Sequence, residues 1–300
     1  MFDPAQLAAL SAVLRTGSFE RAAQILHVTQ SAISQRVRQL EEQVGTVLVV
    51  RTQPCRATEA GARLFRHAEE VRLLEQGVSR DLGVSSSAMG EPAAWPTIRL
   101  AVNADSLATW FVPVMANVGD ILFDLVIDDQ DHSAEWLKRG EVRAAISGSA
   151  KPVQGCDCRA LGVLRYLATA SPAFVTQWFG AGGVTEERLA TAPVITFNAK
   201  DRLQARWVEQ VFGRAAAGPS HWLPSSHAFV DGACAGLGWG MNPEPLAAAA
   251  LADGRLVELM PGQPLDVPLF WHVNRSVATA LQPLTEAVVR VASTVLRPIP

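Results

Sequence analysis

Five hydrogen-bonding side chains lie close together near the N-terminus: Gln30, Ser31, Ser34, Gln35 and Arg38. At about 100° per residue this spacing sets them apart on a helix from Ile33, Val37, Leu40 and Val44, which project within one narrow arc. The apolar arc is a face to bury. The Gln/Ser/Arg face carries short or forked donors and acceptors of the kind that meet base edges and phosphates. Arg36 falls on the opposite flank. Arg51 and Arg56 bracket a short turn further on and suit backbone phosphate or the minor groove. Taken alone, such a helix is equally an amphipathic element with a solvated face, so its neighbours must decide.

A second set of polar residues follows strand-like runs, where open α/β sheets place their ligands. Asn103, Ala104, Asp105 and Ser106 come after Ile98–Val102 and lead into a helix, whose N–H groups and dipole suit an anion such as an α-carboxylate. Ser225, Ser226 and His227 open a helix that holds Phe229, and Asp128, Asp129, Asp131 and His132 follow Phe123–Ile127. Each group also has a structural reading: Asp105 and Ser106 as helix caps, the acidic run as a solvated loop, His227 as a hydrogen-bonded scaffold residue. No metal-ligand cluster stands out. No GxSxG elbow, Walker loop, HExxH or dinucleotide GxGxxG at a strand–helix junction occurs, and Gly236–Gly240 runs into a strand and reads as a turn. No catalytic residue, metal or cofactor is expected.

The elements that must hold the first set are three short helices and a hairpin. The first helix spans about Pro4 to Arg15 and stops at Gly17. Ser18 caps a second, in which Phe19, Ala22, Ala23 and Leu26 share a face. Thr29 caps the third, which runs to about Val44 and stops at Gly45. Val47–Arg51 and Arg56–Thr58 read as a two-stranded wing. A short helix, a tight turn and a polar-faced second helix form a helix-turn-helix, whose second helix enters the major groove. Thr58 then caps a long helix to about Leu82. Its stripe of Ala60, Leu64, His67, Val71, Leu74 and Val78 is either a coiled-coil seam for a second chain or a face packed on the chain's own body.

The segment from Gly83 to Pro96 is rich in Ser, Ala, Gly and Pro and reads as a hinge. Beyond it, strands are expected at Ile98–Val102, Phe123–Ile127, Arg143–Ser147, Tyr166–Thr169, Val194–Phe197, Gly238–Met241, Leu256–Leu259 and Val267–Val273. Helices lie between most of them, which predicts an α/β region with largely parallel sheets. A last helix, about Ser276 to Leu296, carries Leu281, Leu284, Val288, Val291 and Val295 on one face.

The 300-residue chain is 49% hydrophobic, enough for more than one core, and its net charge is −3. That balance is uneven. Met1 to Arg66 holds eight arginines and no lysine against five acids, while the remainder holds 18 basic against 24 acidic residues. A cationic front and an anionic rear fit DNA binding at one end only. Four cysteines make no disulfide framework, and Cys156 and Cys158 are too close for a CxxC site. No signal peptide or membrane-length apolar run is evident, so a cytoplasmic protein without membrane contact is expected. The N-terminal helices and lack of a signal peptide argue against a solute-binding protein, and the missing catalytic motifs argue against an enzyme.

The run SFERAAQILHVTQSAISQRVRQLEEQVGTVLVVRTQPCRATEAG resembles the N-terminal signature of LysR-type transcriptional regulators. Phe19, Ala22, Ala23, Leu26, Gln30, Ser31, Ser34, Leu40, Glu41, Gly45, Leu48, Arg51, Thr58 and Gly61 all fall in pattern, and the layout of the whole chain agrees. AVNADSLATWF and LVVRTQPCRAT are similar in particular to the ArgP/LysG (formerly IciA) subgroup. Two departures leave the fold undisturbed: Leu48–Arg51 where Leu-Phe-x-Arg is common, and Arg143 where many members have Asp.

The resemblance implies an N-terminal all-α winged helix-turn-helix at 1–58, a dimerisation helix at 59–88 and an α/β effector domain at 89–300. The effector domain would be two-lobed and periplasmic-binding-protein-like, with lobe I at about 97–164 and 267–300 and lobe II at about 165–266. It implies contact with double-stranded promoter DNA through Ser18, Thr29, Gln30, Ser31, Ser34, Gln35, Arg38, Arg51, Arg56 and Thr58. It further implies self-association to a dimer and tetramer, RNA polymerase as a further partner, and lysine or arginine as effector controlling an amino-acid exporter gene. A cationic side chain needs a carboxylate, for which Asp105 and Asp129, then Asp128, are the candidates. A LysR-type regulator of another pathway, with a different effector, is the alternative.

Overall fold

The computed structural model describes residues 1–83, 95–127, 133–214 and 218–299. Asp128, Asp129, Asp131, His132 and most of the expected hinge, at 84–94, lie outside the described residues. The chain divides into two compact units: Met1–Ile98 with Asp120–Asp124 and Thr279–Leu281, and the remainder.

In the first unit, local capping chemistry sets the helix bounds. Helix α1 (Pro4–Thr16) starts where the Asp3 carboxylate accepts from the Ala5 and Gln6 N–H groups, and ends at Gly17 with φ 67°. Helix α2 (Phe19–Ile25) is capped by Ser18. His27 turns the chain at φ 51°, and α3 (Gln30–Val44) begins on a Thr29 cap and ends at Gly45 with φ 78°. Leu10, Val13, Ala22, Ile33, Val37, Leu40 and Leu48 are fully buried together. Burial of each large side chain contributes roughly 1.5–3 kcal/mol.

The wing is β1 (Val49–Val50) paired antiparallel to β2 (Arg56–Ala57), shorter than the expected strands. Glu41 of α3 pins it, accepting from the Leu48 N–H at 2.8 Å and the Val49 N–H at 3.3 Å. The Cys55 N–H closes the other side on the Gly17 carbonyl at 2.8 Å. Thr58 leaves the hairpin to cap α4 (Glu59–Asp81): its hydroxyl accepts from the Gly61 N–H and donates to the Val47 carbonyl. The expected seam on α4 is split. Ala60 and Leu64 pack against the helix-turn-helix core, whereas Leu74 and Val78 are exposed.

Glu69 of α4 is a buried carboxylate, 5% exposed. It accepts from the Thr97 N–H at 2.9 Å and sits 3.3 Å from the Arg15 guanidinium. Burial pushes its pKa above the ordinary 4.5, a penalty that Arg15 only partly offsets. The folded chain therefore holds this proton more tightly than the unfolded one. Stability from this group is full below pH 4.5 and is lost as pH rises through the raised value. The melting temperature of the wild type, measured relative to Glu69→Gln, is expected to fall as pH rises across that window. A rise would contradict this reading.

The second region is built on strands β3 (Thr97–Val102), β4 (Leu122–Ile127), β5 (Ala144–Ser147), β6 (Cys156–Ala170), β7 (Val194–Thr196), β8 (Ser220–Trp222), β9 (Gly240–Pro243), β10 (Val257–Glu258) and β11 (Leu265–Asn274). Helix α5 (Ala104–Ser106) passes through a π segment at Leu107–Phe111 into α6 (Val112–Ala116). The other helices are α7 (Ser133–Lys138), α8 (Pro172–Trp178), α9 (Glu186–Leu189), α10 (Leu203–Phe212), α11 (Ser226–Cys234), α12 (Glu244–Ala252) and α13 (Gln282–Val295).

The main sheet has the order β10–β6–β11–β5–β3–β4, with β9 also on β6, while β7 and β8 form a separate parallel pair. The expectation of largely parallel sheets is corrected here. β3 and β5 are parallel, but the β5–β11, β11–β6, β6–β9 and β6–β10 pairings are antiparallel. The cause is the two long strands β6 and β11, which pair from Leu265↔Tyr166 to Asn274↔Cys156. Their register shifts at Leu269/Phe270 beside Gly162, whose φ of 140° and missing Cβ admit the chain at Leu296–Arg297. Arg165 clasps Asp266 across the pair at 2.8 and 2.7 Å and holds that carboxyl below its usual range. The last helix is shorter than expected: Arg275–Val277 is a 3₁₀ turn, and α13 buries Leu284, Ala287, Val288 and Ala292, leaving Val291 and Val295 half-buried.

Candidate functional site

In the first unit, burial of Ile33, Val37 and Leu40 turns the other side of α3 outward. Gln30, Ser31, Gln35 and Arg38 are exposed and Ser34 is half-buried. Arg38 pairs with Glu42 at 2.9 Å, but both are mostly exposed, so the pair is weak and easily exchanged. Ser18, Thr29 and Thr58 already accept backbone N–H bonds as caps, and the Thr29 hydroxyl also lies 2.9 Å from that of Ser31. On the wing, Arg56 is exposed and the Arg51 guanidinium lies 5.0 Å from the Phe19 ring centroid, which stiffens an otherwise mobile cation. The unit thus presents polar and cationic side chains on α3, from its N-terminal residues Gln30 and Ser31 to Arg38, and on the wing.

In the second unit, a cleft open to solvent lies beyond the ends of β3 and β7. Asn103, Ala104 and Asp105 line it from the end of β3. Phe197, Asn198, Asp201 and Leu203 line it after β7, Phe229 from α11, and Met241 and Pro243 from β9. Among its described lining residues are two carboxylates and no Lys, Arg or His. Asp105 Oδ2 accepts from the Tyr166 hydroxyl at 2.7 Å. Asp201 accepts from the Phe197 and Leu203 N–H groups at 2.9 and 3.0 Å and from Gln204 at 3.1 Å, which fixes it in place.

The surroundings hold buried polar atoms without hydrogen-bond partners. Both side-chain atoms of Asn103, 2% exposed, are in this state, as are Ser106 Oγ, Gln204 Oε1, Ser226 Oγ and Asn242 Oδ1. Buried polar groups are ordinarily paired, so a cluster of orphans beside a cleft marks a place for a polar ligand or ordered water. The adjoining π segment is a helical form frequent at functional sites.

The structure therefore brings Asn103, Ala104, Asp105 and Phe229 together, with Ser106 and Ser226 buried nearby in sequence. It does not bring His227 there. That side chain is exposed and lines a different groove with Val230, Asp231, Leu246 and Arg255. Ser225 is occupied as the cap of α11. Sequence reasoning missed Asn198, Asp201 and Tyr166. The rule applied to the strand at Ile98–Val102, to look just past the strand end, would have found Asn198 and Asp201 after β7. Among the described residues there is no group of acids, histidines and cysteines that could hold a metal ion, and no helix long and apolar enough to cross a membrane.

A polar-faced winged helix-turn-helix joined to an α/β unit with a ligand cleft defines a ligand-responsive DNA-binding regulator. Residues 4–62 match the model of the bacterial regulatory helix-turn-helix proteins of the lysR family, and residues 96–297 match that of the LysR substrate binding domain. The chain belongs to the LysR family of transcriptional regulators. It is 45% identical over 295 residues to the transcriptional regulator LysG of Mycobacterium tuberculosis, covering 98% of this chain and 95% of that one. It is similar to the crystal structure of ArgP from Mycobacterium tuberculosis, with a TM-score of 0.74 and 44% identity over the whole of both chains. It is also similar to full-length LysG of Corynebacterium glutamicum with its effector Arg bound, with a TM-score of 0.64 and 37% identity over 99% of this chain and 100% of that one. These relatives are regulators of transcription and not enzymes.

Proposed function

We propose that this LysR-type regulator responds to a basic amino acid, arginine or lysine, and controls a gene for its export. The observation that carries the effector reading is the pair Asp105 and Asp201 in a cleft with no cation among its described lining residues, beside the unpaired amide of Asn103. A ligand that brings a cation to the carboxylates and further polar groups to the orphaned amide fits that set. The bound Arg of the related LysG supports the same reading.

In this reading the chain acts in the cytoplasm as a dimer and a tetramer, meeting RNA polymerase at the promoter. The exposed Leu74 and Val78 of α4 are the pairing seam. The working division is 1–58 for DNA, 59–88 for pairing and 89–300 for effector binding. Calorimetric titration with a panel of amino acids tests the effector: saturable heat from arginine or lysine is expected, and heat only from unrelated metabolites overturns it.

The α3 face reads bases and the wing holds phosphate. Gln30→Ala or Ser34→Ala is expected to cost about 1–3 kcal/mol on the specific site and little on random DNA. Arg56→Ala is expected to weaken both and flatten the salt dependence of binding. Equal losses on the two DNAs for Gln30→Ala, read by anisotropy, would remove its base-reading role.

A further inference from the structure

Tyr166 is the sole tyrosine of the chain. It is almost fully buried, at 1% exposed, at the point along β6 where the pairing with β11 ends, at Leu265, and the pairing with β9 begins, at Pro243. A buried tyrosine needs a partner for its hydroxyl. Here that partner is a cleft carboxylate, Asp105 Oδ2, at 2.7 Å. The strand partner of Tyr166 on β9 is Pro243, which lines the same cleft. One hydrogen bond thus ties the wall carried by β3 and α5 to the wall carried by β6 and β9.

We propose that Tyr166 is a positioning residue for the effector: its hydroxyl holds the Asp105 carboxylate in the direction from which it pairs with the cationic group of the ligand. This inference rests on the basic amino-acid reading above. Asp105 lies at the second position of its helix and is half-buried, and loss of the hydroxyl withdraws a short bond that fixes one of its carboxylate oxygens, Oδ2, so that oxygen is held less firmly in one direction. Ligand binding must then order it again, and that cost weakens binding. The hydroxyl acts through the charge of Asp105, so its loss must tell on a cationic ligand and spare a neutral one of the same shape. Arginine and citrulline are such a pair, differing by the guanidinium and the uncharged ureido group.

The test is calorimetric titration of the full-length protein with arginine and with citrulline, in wild type, Tyr166→Phe, Asp105→Asn and the double variant. Tyr166→Phe is expected to weaken arginine binding about ten-fold, the loss of one charge-assisted hydrogen bond, and to leave citrulline within about two-fold. In the Asp105→Asn background the same change is expected to do nothing further. A second variant, Asp105→Glu, keeps the charge but cannot place it under the hydroxyl; it too is expected to lose the preference for arginine. Equal weakening of both ligands by Tyr166→Phe, unaltered arginine binding in it, or full arginine preference in Asp105→Glu overturns the proposal. A wild type that binds neither arginine nor lysine overturns the effector reading itself, a separate outcome.

Discussion

Gly61→Ala is expected to abolish specific DNA binding by the full-length chain and to leave effector binding at its wild-type strength. A Cβ on Gly61 would fall inside the envelope of the Leu48 carbonyl oxygen and 2.9 Å from its carbonyl carbon. That carbonyl cannot step aside. Its oxygen accepts from the Thr58 N–H at 3.0 Å, the Leu48 N–H is held by Glu41 at 2.8 Å, and the Leu48 side chain is fully buried in the helix-turn-helix core. Forcing a methyl group into a contact with fixed backbone costs on the order of 3 kcal/mol, and the route of relief is to lift the wing from α4. The lifted wing no longer carries Arg51 and Arg56 beside α3. Anisotropy on specific DNA, with calorimetric unfolding as the control, reads the effect. Wild-type affinity in Gly61→Ala would show that the close approach of Gly61 to Leu48 is dispensable.

Asp105→Asn is expected to lower the affinity for arginine by about 100-fold, equivalent to nearly 3 kcal/mol. The substitution keeps shape and hydrogen-bonding capacity but removes one of the two charges among the described residues that line the cleft. A ligand cation drawn out of water then meets a neutral amide, and the desolvation that the carboxylate had offset is left uncompensated. Asp201 cannot swing across to replace it, because two backbone N–H groups and Gln204 hold it where it is. Titration calorimetry checks this, with the melting temperature of the ligand-free variant showing that the fold is intact. Arginine binding within three-fold of wild type would move the cationic subsite away from Asp105.

What was legible in the sequence divides along the line between local and distant chemistry. Ser18, Thr29 and Thr58 open their helices through bonds to N–H groups three residues on, and Gly17 and Gly45 close theirs at positive φ. Such signals are carried by neighbours in the chain, which is why the helices of the first unit were readable to within about a residue. Strand β6 was not. Only Tyr166–Thr169 stood out as apolar, yet the strand runs from Cys156, because its polar first half is fixed by β11, which lies about a hundred residues away. The same long-range pairing made the sheet mostly antiparallel where alternation of strands and helices suggested the reverse.

The cleft shows the same division. Asn103, Ala104 and Asp105 were found because they follow an apolar strand directly. Phe229 was found by its place in a helix that starts on a Ser cap, but His227, two residues earlier on that helix, points the rule astray: helical spacing puts the two on different faces. Asp201 also follows a strand end, β7, but its ties to Phe197, Leu203 and Gln204 look like those of any turn carboxylate until the fold brings it to the same cleft as Asp105. Tyr166 was legible only as a strand residue; its role rests on a partner 61 positions away.

The most direct test of the central claim, an arginine- or lysine-responsive DNA-binding regulator, is an anisotropy titration on the DNA upstream of the protein's own gene and its divergent neighbour. It is run without ligand, with arginine, with lysine and with citrulline. Tight, site-specific binding whose strength or footprint changes with arginine or lysine, and not with citrulline, is the predicted result. Specific binding indifferent to all three would contradict the effector assignment while leaving the family intact, and binding no tighter than to random DNA would contradict the role of the α3 face.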